Sequence, residues 1–126
     1  RLVGQDEAVR AALNALDFEP DPRSLPADPS SFAFLARLYV GPEGGLPPGE
    51  TFDVTVCSPE WLSRQCSNDG IWLGLHHVFV NQEDYNEAAL RAWFHRRVTS
   101  AEGETWADVA AEVGRLGHWE FDGYRA

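Results

Sequence analysis

Hydrophobic positions along this chain keep two different periods, and the alternation between them marks out the elements. In residues 32–40, Phe32, Phe34, Ala36, Leu38 and Val40 alternate with Ala33, Leu35, Arg37 and Tyr39, the two-residue period of a strand. Both sets are largely apolar, so both faces of this strand are expected to be covered. Residues 51–57 repeat the period more cleanly. Phe52, Val54 and Val56 share one face while Thr51, Asp53 and Thr55 share the other, which reads as a half-buried strand. The Gly- and Pro-rich run between them, residues 41–49, must be a loop. The two strands are expected to pair across it as an antiparallel hairpin. Residues 71–80 read as a third strand, with Ile71, Leu73, Leu75, His77 and Phe79 on one face.

Helical signals lie between and after these runs. Ser58-Pro59-Glu60 is a helix start: a hydroxyl to accept from an orphan amide, a proline tolerated at the first position, and an acid at the positive end of the dipole. That helix is short, because Asn68-Asp69-Gly70 ends it. Asn81 with Asp84 forms a capping arrangement for a longer helix with Tyr85, Ala89 and Trp93 along one side. Thr105 with Asp108 repeats the device. Trp106, Val109, Ala110, Val113 and Leu116 follow as an apolar stripe, with Gly117 as a left-handed terminator. Toward the N-terminus, residues 6–16 place Val9, Ala12, Leu13 and Leu16 at helical spacing, which predicts a helix. Val9, Ala11 and Leu13 also alternate, so an edge strand stays open there. Residues 17–29 hold Pro20, Pro22, Pro26 and Pro29 and form an extended strap.

Strands first and helices later give the α+β class: an antiparallel sheet of three to four strands with two long helices and one short helix packed against it. A length of 126 residues fits one domain over the whole chain, with residues 1–31 as its N-terminal segment. The 44% hydrophobic and 12% aromatic content exclude a disordered chain.

Charge changes the picture most. Twenty acids face ten bases, all of them Arg, for a net charge of −10. A field of that sign repels phosphate backbones and anionic lipid, so nucleic acid and membrane surfaces are poor partners and a cationic protein is a good one. No apolar run approaches the ~20 residues of a membrane helix, and no charged-then-apolar leader opens the chain. A cytoplasmic location is expected.

Reactive constellations are thin. His76-His77 is the most tempting metal pair, but adjacent strand residues point to opposite faces, and neither His95 nor His118 supplies a ligand spacing, so no metal is expected. Cys57 and Cys66 lie nine positions apart without a CxxC pattern and read as two reduced, mostly buried thiols. Cys57 does end a strand just before a helix start, where a thiol pKa can fall, so a Cys–His hydrolase using Cys57 with His76 or His77 is an alternative reading. Ser30, Ser31 and Ser63 sit in no nucleophile elbow. Glu83-Asp84 is better explained as capping than as acid–base chemistry. No Gly-rich phosphate cradle appears, and His95-Arg96-Arg97 suits the end of its helix better than it suits DNA. No cofactor is expected. Trp61, Trp93 and Trp106 read as core packing. Trp119 reads as part of a C-terminal segment folded back on the sheet, and a ligand-binding aromatic pocket is a further alternative.

The run from Phe52 through Cys57-Ser58-Pro59-Glu60-Trp61-Leu62 resembles the signature strand and helix start of the immunity protein 8 family. Tyr39-Val40-Gly41-Pro42, Gly74-Leu75-His76-His77-Val78-Phe79-Val80 with Asp84-Tyr85, Thr105-Trp106 and Gly117-His118-Trp119-Glu120-Phe121-Asp122-Gly123-Tyr124 are similar to it too. The resemblance covers roughly residues 26–124, and that family tends to open with a strand. It implies a bacterial immunity protein of a polymorphic toxin or contact-dependent competition system. Such a protein is cytoplasmic, without catalysis, and neutralises a cognate toxin domain by tight binding. Joined to the charge, it points to a cationic nuclease as the toxin, met by exposed acids. The candidate contact residues are Glu43, Glu50, Glu83, Asp84, Glu87, Glu102 and Glu104. The sequence leaves the oligomeric state open.

Overall fold

Three long strands carry the alternation through to the core. The computed structural model describes residues 8–20, 31–81 and 85–122. Strands β2 (Ala33–Pro42) and β3 (Glu50–Cys57) pair antiparallel, with Phe34 opposite Val56, Ala36 opposite Val54 and Leu38 opposite Phe52. All six of these side chains are buried, as the two-residue period requires. The other face of β2 is not covered as expected. Arg37 is exposed there and makes a bidentate pair with Asp53 across the hairpin, at 2.8 and 2.9 Å.

The N-terminal segment is a strand, not a helix. β1 (Val9–Glu19) pairs antiparallel with the free edge of β2, setting Leu13 opposite Val40 and Leu16 opposite Leu38. The helical spacing of its apolar residues gives way because β2 offers a long unpaired edge, and ladder bonding outweighs a modest local propensity. The register shifts between Leu13 and Ala15, and Asn14 Nδ2 there donates to Pro48 O at 3.0 Å, tying the strand to the long hairpin loop.

The sheet is larger than three or four strands, and it is mixed. The short strand β4 (His77–Phe79) runs parallel to β3, β5 (Glu102–Gly103) runs antiparallel to the start of β1, and β6 (His118–Trp119) runs antiparallel to the start of β3. The order is β4-β3-β2-β1-β5, with β6 sharing the outer edge of β3. The parallel pair follows from α1 (Pro59–Asp69), which carries the chain back between β3 and β4 as a crossover. Only residues 77–79 of the expected strand 71–80 join the sheet. Ile71, Leu73 and Leu75 precede it in irregular backbone and are exposed.

Helix starts are read well from sequence and helix faces less well. Ser58 caps α1, accepting from Trp61 N, and Gly70 ends it at φ 79°. At 11 residues α1 is longer than α3 (Trp106–Val113, 8 residues), so it is not the short helix of the three. It also has no buried residue. Helix α2 (Glu87–Thr99) is capped by Asn86 rather than Asn81, and packing against the sheet buries the stripe Leu90, Phe94 and Val98. Trp93, expected in the core, is half-buried beside that stripe. Thr105 caps α3 as expected, and Val109, Ala110 and Val113 are buried. The cap at its other end is Gly114, with right-handed φ −61°, not Gly117. Gly117 has a different task. A Cβ there would stand 2.8 Å from Val54 Cγ2 and 3.2 Å from Phe52 Cβ, so only glycine lets the chain pass this close to β3 on its way into β6.

Candidate interaction surface

The five candidate acids among the described residues do not form one surface. Arg10 links two of them: its guanidinium pairs with Glu102 at 3.0 Å, and its carbonyl accepts from the Glu43 backbone N–H at 2.7 Å. Glu104 is exposed one residue before the α3 cap. These three mark the end of the sheet where β1 begins and β2 finishes. Glu87 lies toward the opposite end of β1, where its i+4 partner Arg91 donates to Leu16 O. Glu83 and Asp84 lie outside the described residues.

Glu50 stands at the first position of β3. It is half-buried, and its two carboxylate oxygens accept from Trp106 Nε1 at 2.5 Å and Trp119 Nε1 at 2.8 Å. One acid at the start of β3 therefore joins α3 and β6 to the sheet, while Trp119 stacks on Phe52 at 6.2 Å between centroids. No spacing rule could have found this clamp, because its three members are 56 and 69 positions apart.

The nucleophile candidate is closed off. Cys57 is fully buried, and burial pushes its thiol up to about 11. The two histidines are engaged elsewhere. His76 donates through Nε2 to Gly114 O at 2.9 Å, and His77 donates through Nδ1 to Leu75 O at 2.5 Å. A reactive cysteine needs an exposed, electropositive setting, and Cys57 has the reverse. Both cysteines are free thiols, with Cys66 only half-buried. Among the described residues no group of three or more metal-binding side chains comes together, and no helix is long and apolar enough to cross a membrane.

An apolar margin around β4 is the feature that sequence reading missed. Ile71 is 93% exposed, Leu73 77%, Leu75 61% and Phe79 49%. Behind them His77 stacks on Trp61 (6.1 Å, 25°) and meets Trp72 edge-on (4.9 Å, 81°), so α1 reaches the sheet through an aromatic cluster at the surface rather than through the core. On the other side of β4 an open cleft of about 500 Å³ separates it from α2, lined by Val78, Val80, Ala89, Leu90 and Trp93 among others. Its Asn86 side chain is committed to the Ala89 amide as the helix cap, and Asn81 and His77 complete the polar part of its lining. The signal in the sequence was the apolar set Ile71, Leu73 and Leu75, which the strand reading placed on one face of a strand.

A family model described as Immunity protein 8 matches residues 12–124, and the chain belongs to that family of immunity proteins. No curated protein and no solved structure matches it. Family membership implies a toxin protein as partner.

Proposed function

We propose that this immunity protein works in the cytoplasm of the toxin's producer, binding the cognate toxin domain of a polymorphic toxin system and neutralising it by occlusion, with no bond made or broken. Its span of the immunity family model carries this reading. The burial of Cys57 supports the absence of chemistry, since the hydrolase alternative needs that thiol exposed beside an imidazole.

The finer proposal concerns the toxin's charge. A net charge of −10 suits an inhibitor of a cationic nuclease, whose active site is built to receive phosphates. Glu43, Glu102 and Glu104 at the β1–β5 end contribute to the field that steers the encounter. The experiment is co-expression of the toxin domain encoded immediately upstream of this chain's gene, with and without this protein. Growth restored by the wild type and equally by Cys57→Ser supports occlusion, whereas loss of protection in Cys57→Ser supports the hydrolase.

A further inference from the structure

The two ends of the sheet are finished differently. At one end β5 is two residues long and its Glu102 is paired with Arg10. Charge is one of the means by which proteins keep a sheet edge from pairing with another chain, and it is what distinguishes this end, since β4 is itself only three residues long. At the other end β4 reads His77-Val78-Phe79, with no charged residue and no proline, and exposed Leu73 and Leu75 lie just before it.

The backbone at this edge is directed outward. Thr55 N donates to His76 O and Val80 N donates to Cys57 O, both at 2.9 Å, in a parallel ladder that sets Val56 beside Val78. Such a ladder uses alternate residues of each strand, so residues 76, 78 and 80 bond to β3 while the N–H and C=O groups of His77 and Phe79 face away from it. Among the described residues no strand lies beyond β4. Beside this row of backbone groups lies the cleft between β4 and α2, and on its other face the cluster of Trp61, Trp72 and Phe79 around His77.

We propose that the cationic toxin domain docks on the open edge of β4 by adding an extended segment as a further strand, with one of that segment's apolar side chains seated in the cleft between β4 and α2. This rests on the toxin-binding reading above and assigns it a surface. Strand addition draws affinity from main-chain hydrogen bonds and specificity from pockets for alternate side chains, and this edge offers both. The indoles and Phe79 supply the aromatic anchors that concentrate binding energy. Charge selects the occupant. A second copy would bring another ten negative charges to the edge, with Asp69 at the end of α1 close in sequence to Ile71, whereas a basic strand meets attraction there.

The test uses the full chain and the upstream-encoded toxin domain, with affinity measured by calorimetry and amide exchange followed residue by residue. On complex formation the amides of His77 and Phe79 should become protected. Leu73→Asp, at a largely exposed position, and Phe79→Pro, which removes one outward N–H, should each weaken binding on the order of 100-fold. The urea midpoint of Leu73→Asp should stay at the wild-type value, which keeps the test valid if Phe79→Pro disturbs β4. Wild-type affinity in Leu73→Asp, with new protection confined to the β1–β5 end, would overturn this docking site while leaving the immunity reading intact. A wild-type protein that fails to bind the toxin domain at all overturns both. Sedimentation showing a dimer of this chain that Phe79→Pro disperses would give the edge to a second copy and overturn the proposal.

Discussion

Single side chains in this protein do tasks that their residue types do not announce. Glu50 looks like one more surface acid, yet it holds two indole N–H groups at once. Glu50→Ala leaves two part-buried donors without their acceptor, and urea unfolding should show a loss of about 1–3 kcal/mol. Trp119 should become more exposed at the same time, seen as a red shift of tryptophan emission. Glu50→Gln keeps one acceptor oxygen and should lose less. Cys57 gives a pH prediction. Its thiol, ordinarily near 9, is held up to about 11 by burial. The folded protein therefore keeps a proton that the unfolded chain gives up, so stability is intact below pH 9 and falls as the pH rises toward 11. Cys57→Ala should flatten that slope in urea midpoints measured across the range. Tyr39, whose pKa is raised chiefly by its hydrogen bond to Asp17, also titrates in alkali, and only the comparison with Cys57→Ala separates the two.

Elements are joined by a few polar or close-packed points, and these are where the fold is most easily broken. Ser58 Oγ accepts from Trp61 N to start α1 and from Phe32 N to fix the entry to β2, both at 3.2 Å and at a nearly buried site. Ser58→Ala removes both, and an equilibrium unfolding curve should show a cost of about 1–3 kcal/mol. Gly117→Ala forces a methyl against Val54 and Phe52. Overpacking of that kind typically costs about 1–3 kcal/mol. It should also weaken the β6 pairing, which amide exchange at Trp119 would report. Cap residues such as Ser58, Thr105 and Gly70 were legible because a cap is a local device whose chemistry lies within three or four positions. The face a helix buries was less legible. For α2, the residues read along one side, Tyr85, Ala89 and Trp93, are not the buried stripe, which is Leu90, Phe94 and Val98, because packing against the sheet selects the face.

For the molecule as a whole, the proposed binding divides between long-range charge and the apolar margin at β4. The acid excess acts at long range, so the association rate with the toxin domain should fall about tenfold or more between low and high salt while the dissociation rate changes little. Stopped-flow rates that stay flat across that range would remove steering from the account. Neutralising Glu43 and Glu104 together should lower the association rate a few-fold and leave the folded stability unaltered, since neither is buried.

The sequence by itself determined the hairpin of β2 and β3, the starts of α1 and α3, and the family. Each rests on residues close together in the chain: a two-residue alternation, a capping side chain, a motif running through Cys57-Ser58-Pro59. Tertiary structure alone decided three other things. It made residues 9–19 a strand, because β2 had an edge to fill. It made Glu50 a clamp, because α3 and β6 bring two indoles to it from far along the chain. It left Ile71, Leu73 and Leu75 outside, because the parallel ladder with β3 takes only residues 77–79. Local periodicity tells which residues share a face; only the packing of distant segments tells whether that face meets the core, a partner or water.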